Sequence, residues 1–211
     1  MTSMQVLQWD ARKKCLRTAG KVFDPSRLEW LDGDGEQHEG AAVSPLQALK
    51  FLAESGALKR VPVGVIGPRE ATAEQREVAY ALGAAMADHG LQLLCGGKNG
   101  VMEAVCEGHS ARGGLPIGIL PDDEWQAANP FVGIPIATGI GPARNAIIAR
   151  ACIALIAVGG GVGTLSEMAL GLQFNRLVLA MAGAPHVDGV PIMADIEQVL
   201  DRVAQRILMG M

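Results

Sequence analysis

The chain has 211 residues, 49 % of them hydrophobic, with a formal net charge of −4 and a pI near 5.6. This is enough apolar material for one sizeable core, which excludes a disordered chain, and the acidic balance argues against a nucleic-acid footprint. Glycine is in excess, 27 residues, and aromatics are scarce at 4 %, a combination that suggests backbone approaching something closely.

The chain divides at residue 60. Residues 1–60 carry 9 basic and 8 acidic side chains, whereas residues 61–211 carry 9 and 14, hold 22 of the 27 glycines and contain a single lysine, Lys98. We therefore expect an accessory extension over 1–60 and an α/β domain over 61–211. In the extension, Val6–Trp9 and Leu16–Phe23 are predicted as two short strands, and Asp32-Gly33-Asp34-Gly35 as a turn or loop. A helix is predicted over 44–55. Ser44 is its N-cap, Pro45 its first residue, Gln47 the partner in a capping box and Gly56 its end. The extension also holds four of the eight aromatics, Trp9, Phe23, Trp30 and Phe51, which fits a small β-rich cap.

From residue 61 apolar runs alternate with helical stretches. Strands are predicted at 62–67, 91–95, 116–120, 134–138, 152–158 and 176–182, and helices near 73–89, 100–111, 142–151, 164–174 and 194–208. Strands that are apolar throughout and separated by helices imply a parallel sheet covered on both faces. The fold class is α/β, a three-layer, doubly wound, mainly parallel Rossmann-like sheet with the small N-terminal β-rich extension.

Ligands of such folds bind beyond the carboxyl ends of the strands, and here most strands end in glycine or proline: Gly67-Pro68, Gly96-Gly97, Pro121, Gly139-Ile140-Gly141-Pro142 and Gly159-Gly160-Gly161-Val162-Gly163-Thr164. Tight turns alone require some glycine. Clusters at several ends favour a phosphate or similar anion held by converging N–H groups and a helix N-terminus. The loop 159–164 has threonine where the dinucleotide fingerprint needs glycine, and Gly97-Lys98 is followed by Asn99 without upstream P-loop glycine, so neither familiar nucleotide motif is present. Arg144 opens a helix at this rim, a poor place for a cation unless it faces a phosphate or carboxylate; a structural salt bridge is the alternative. Glu167 ends the series Thr164-Leu165-Ser166-Glu167, which reads equally as a capping box or as a carboxylate facing the ligand.

These residues resemble a family. Gly160-Gly161-Val162-Gly163-Thr164-Leu165-Ser166-Glu167 is similar to the P-G-G-x-G-T-x-x-E signature of the LOG-like (SLOG) superfamily, whose cytokinin-activating phosphoribohydrolases were formerly labelled lysine decarboxylases. Arg144 precedes Glu167 by 23 residues, the spacing of the family's arginine–glutamate pair, and Gly96-Gly97-x-x-Gly100-Val101-Met102 and Gly67 resemble its other glycine loops. The resemblance covers about 61–208. Gly159 replaces the signature proline, and Asn145 replaces the lysine after the arginine. In both respects the chain looks more like the molybdenum-cofactor carrier branch.

The resemblance implies a binding or carrier protein for a phosphorylated heterocycle, with the molybdenum cofactor or a nucleotide as ligand and no required cofactor. The alternative is a nucleoside 5′-monophosphate phosphoribohydrolase in which Glu167 assists water attack and Arg144 stabilises developing charge. A pyridoxal-phosphate decarboxylase is disfavoured, because the sole lysine of the matching region, Lys98, sits in a glycine loop. Gly67, Pro68, Gly96, Gly97, Lys98, Gly100, Met102, Asn145, Gly160, Gly161, Val162, Gly163 and Thr164 are the expected ligand contacts, with Arg144 and Glu167 catalytic in the enzyme reading. No metal site is expected: Cys106 and His109 lie one helical turn apart but lack further ligands. Trp125 and Phe131, on a rim loop, are candidates for stacking on a planar ring or for packing. The acidic run Asp122-Asp123-Glu124 reads as a solvated loop. The four cysteines, Cys15, Cys95, Cys106 and Cys152, are expected to be reduced, and MTSMQVLQWDARKK has no apolar signal core, so a cytoplasmic protein without membrane or nucleic-acid partners is expected; the resemblance implies a homodimer or higher homo-oligomer.

Overall fold

The structure, a computed structural model, describes residues 6–33 and 40–210. Two compact units emerge, one formed by residues up to Arg60 together with those from Asp201 onward, the other by Val61–Leu200.

The first unit holds a five-stranded antiparallel sheet. Its strands are β1 (Gln8–Asp10), β2 (Cys15–Thr18), β3 (Lys21–Asp24), β4 (Glu29–Asp32) and β5 (Ala41–Ala42), in the order β4-β3-β2-β1-β5. The stretch expected as one strand over Leu16–Phe23 is a hairpin instead. Gly20, at φ +73°, turns the chain between β2 and β3, a conformation that costs glycine little. Strand β1 begins two residues later than anticipated, and β4 and β5 were not anticipated at all. Asp34 and Gly35 of the expected loop lie outside the described residues. The unit's aromatics pack in pairs, Trp9 on Phe51 and Phe23 edge-on to Trp30, with ring centroids 5.4 and 5.2 Å apart. Helix α1 (Pro45–Glu54) starts as expected: the Gln47 N–H donates to Ser44 Oγ at 3.2 Å, and the Ser44 N–H donates to Gln47 Oε1 at 3.0 Å.

The second unit is built on a six-stranded parallel sheet. In chain order its elements are β6 (Pro62–Ile66), α2 (Ala73–Asp88), β7 (Gln92–Cys95), α3 (Val101–Ala111), β8 (Ile117–Leu120), β9 (Ile134–Ala137), α4 (Asn145–Ala151), β10 (Ala154–Val158), α5 (Val162–Gln173) and β11 (Leu177–Met181). A last helix, α6 (Ile196–Met209), starts in this unit, and its residues from Asp201 onward belong to the first. The strand order is β11-β10-β6-β7-β8-β9. Every residue of β10 is buried, as befits a central parallel strand. Ile66, Leu94, Leu155, Ile148 and Met168 belong to one buried apolar cluster. The edge strand β9 departs from the expectation of strands covered on both faces, since Ile134 and Ile136 are largely exposed.

Not all of the glycine belongs to the rim. A Cβ at Gly83 of α2 would strike the Val105 carbonyl of α3, and one at Gly108 of α3 would strike the Tyr80 carbonyl of α2. These two positions let the helices approach closely. The chain runs from β6 outward through β7, β8 and β9, then crosses back to lay β10 on the other side of β6. The order therefore reverses between β6 and β10, the topological switch point at which open α/β sheets bind ligands.

Candidate functional site

A cavity of about 310 Å³ opens beyond the carboxyl ends of these strands, lined by the loop after β6 and by the start of α5 after β10. The β6 loop contributes Gly67, Pro68 and Arg69, and Pro121 follows β8. Opposite, Pro142, Arg144 and Asn145 come from a segment expected to be one helix over 142–151. The chain instead makes a 3₁₀ turn over Gly141–Arg144 before α4 begins. Gly161, Gly163, Thr164 and Glu167 enter from α5, and Met102 from α3.

Glu167 settles one open question. Helix α5 begins at Val162 with Gly161 as N-cap and has no side-chain cap, so Thr164 and Glu167 sit too far along it to form a capping box. The Glu167 carboxylate instead accepts from Arg144 Nη1 at 3.0 Å, with both side chains 8 % exposed. Burial raises the Glu167 pKa to about 7 although the Arg144 charge opposes the shift. Arg144 Nη1 also donates to Asn145 Oδ1 at 2.9 Å. Asn145 Nδ2 donates to Ser166 Oγ at 3.0 Å, and Ser166 Oγ to the Gly163 carbonyl at 2.7 Å. This chain of bonds ties the guanidinium to the first turn of α5. Arg144 Nε, in contrast, is buried without a hydrogen-bond partner among the described residues. Such a donor is costly to leave unmet.

The glycine loop after β7 plays a different part from the one expected. Gly96, Gly97, Lys98 and Gly100 do not line the cavity, and neither do Gly160 and Val162. A Cβ at Gly96 would collide with the Arg144 guanidinium, so this glycine makes room for the arginine. Lys98 is occupied: its Nζ donates to Asp122 Oδ2 at 2.9 Å and to the Ala127 carbonyl at 2.7 Å. Its hydrogen bond, aided by its charge, holds the Asp122 carboxyl below the usual range, so Asp122 is an ion-pair partner and not merely a solvated acid. Asn129 completes the brace, donating from Nδ2 to the Lys98 carbonyl and from its N–H to that of Gly97.

Trp125, 58 % exposed in a 3₁₀ turn (Trp125–Ala127), and Phe131 lie on this braced loop away from the cavity lining. His109 Nε2 lies 3.0 Å from the Leu91 carbonyl oxygen. Cys106 Sγ lies 3.4 Å from Cys95 Sγ, and that contact and burial push the Cys106 thiol up. All four cysteines are free. Among the described residues no three His, Cys, Asp or Glu side chains gather as a metal site, and no helix is long and apolar enough to cross a membrane.

Arg69 escaped the sequence reading. Its signal was its position directly after Gly67-Pro68, at the end of what proves to be the central strand.

A family model for the SLOG cluster4 family matches residues 60–205. The chain belongs to that family. It is 38 % identical over 144 residues to an uncharacterized protein of Archaeoglobus fulgidus, an alignment covering 68 % of this chain and 95 % of the relative. The molybdenum cofactor binding protein of the phototrophic bacterium Rippkaea orientalis superposes with a TM-score of 0.67 at 34 % identity, covering 71 % of this chain and 98 % of that one. The molybdenum cofactor carrier protein of Chlamydomonas reinhardtii gives a TM-score of 0.65 at 34 % identity, covering 72 % and 100 %. This SLOG chain thus falls with the carrier-like branch to which its Gly159 and Asn145 pointed.

Proposed function

We propose that this SLOG protein binds and carries a phosphorylated heterocycle, of the molybdopterin or nucleotide type, in the cavity between the β6 loop and α5. The observation that carries the reading is Arg144, a buried cavity-lining guanidinium whose Nε has no hydrogen-bond partner among the described residues, beside the uncapped first turn of α5. A phosphate there would meet a guanidinium fork and the orphan N–H groups of a helix start. Glu167 holds Arg144 in place and offers its second oxygen to a ligand hydroxyl or ring N–H. The likeness to molybdenum cofactor carrier proteins supports a carrier over the hydrolytic alternative.

The test is a binding panel of purified protein against phosphorylated pterin and nucleoside monophosphates, with a parallel assay for free base. Saturable binding that Arg144→Ala weakens, without base release, is the expected result. Turnover that Glu167→Gln abolishes would instead make the protein a phosphoribohydrolase.

A cytoplasmic homodimer belongs to the same proposal. An apolar groove lined by Ala146, Ile147, Ala151 and Phe174, with Arg150 stacked 4.7 Å over the Phe174 ring, supports a second copy as its occupant. Light scattering on the purified protein at twice the 22.0 kDa chain mass is the expected readout.

A further inference from the structure

The cavity contains a second cation that the proposed function leaves unused. Arg69 lines it together with Arg144, but from the exposed end. Its backbone is held. A Cβ at Gly100 would strike the carbonyls of both Pro68 and Arg69, and the Val101 N–H donates to the Pro68 carbonyl at 3.2 Å. The side chain therefore leaves from a fixed loop at the end of the central strand. Among the described residues Arg69 forms no ion pair and no side-chain hydrogen bond. Asp122 feels its field, yet that carboxylate is already committed to Lys98 at 2.9 Å. The lining thus has two arginines against one carboxylate, Glu167, and Glu167 is bound to Arg144. A positive charge is left over at the mouth.

We infer that Arg69 is an outer anion contact of this cavity, and that the ligand carries two separated anionic groups, one taken by Arg144 and the start of α5, the other by Arg69. The inference rests on the proposed anion site and deepens it by naming the ligand class as bis-anionic. An exposed guanidinium suits the outer position, because it can swing onto a phosphate or other oxyanion as the ligand enters and bind it through two donors.

The experiment is calorimetric titration of the full chain with inorganic phosphate and with inorganic pyrophosphate. Wild-type protein is expected to prefer pyrophosphate by about tenfold or more, the scale of one charge-assisted hydrogen bond. Arg69→Ala should remove most of that preference while leaving phosphate affinity within about twofold, and Arg69→Lys should keep part of it as a point charge. Circular dichroism checks that the variants keep their fold. The same preference in wild type and Arg69→Ala, or an equal loss for both anions, would overturn the inference while leaving the inner site standing. Phosphate binding that is absent, or indifferent to Arg144→Ala, would instead overturn the inner site and the outer contact with it.

Discussion

Two glycine-rich loops follow parallel strands of the same sheet, Gly96-Gly97 after β7 and Gly159-Gly160-Gly161 after β10, and they serve the cavity differently. The β10 loop ends in an uncapped helix start that lines the cavity with backbone. The β7 loop stands behind it, with Gly96 yielding space to the Arg144 guanidinium and Lys98 tied to the loop after β8. Glycine at a strand end thus has two meanings, lining a cavity with backbone or clearing room for a side chain that lines it. Strand order decides between them, because β10 and β6 flank the switch point and β7 does not.

The largest expected effect is at the residue both loops serve. Arg144→Ala should weaken binding of a phosphorylated ligand by about 100-fold, the loss of two charge-assisted hydrogen bonds, measured by equilibrium titration. Substitutions in the loops come next and separate their roles. Gly96→Ala should displace Arg144, costing about tenfold in binding and roughly 1–3 kcal/mol in unfolding free energy through overpacking. A Cβ at Gly161 meets nothing within 4 Å, so Gly161→Ala should leave stability within about 0.5 kcal/mol and act on ligand binding alone. Equal destabilisation by the two changes in a urea titration would erase the distinction.

A smaller effect should appear in the pH dependence of stability. Glu167 is raised from 4.5 to about 7 by burial, so between these values the folded chain holds a proton that the unfolded chain has lost. Its contribution is complete below pH 4.5 and is lost as pH rises to about 7. Glu167→Gln should remove that part of the slope, and an unchanged slope would show that the carboxyl is already ionised. The smallest effect on binding is expected from Lys98→Ala, within about threefold, with a stability loss of about 1 kcal/mol for the broken brace. A large binding loss would return Lys98 to the ligand contacts.

The α/β unit was legible because β6, β7, β8, β10 and β11 are apolar runs bounded by turn residues, a pattern with few alternative readings. The sheet of the first unit was not, since its strands span two to four residues and the β2–β3 turn is marked only by Ala19-Gly20. The pairing of Arg144 with Glu167 was legible from rim position and family spacing. The Thr164–Glu167 capping-box alternative failed because Gly161 takes the N-cap three residues earlier. Gly97 and Lys98 were placed in the site because sequence marks strand ends without ordering the strands. The same lack hid Arg69, whose place in the cavity lining follows from β6 being central.

The central claim is that one anion site unites Arg144, Glu167 and the start of α5. A crystal structure with a bound phosphorylated pterin tests it most directly. The account predicts the phosphate within about 3 Å of the Arg144 guanidinium and of α5 first-turn N–H groups. A phosphate bound elsewhere, with Arg144 untouched by the ligand, would contradict it.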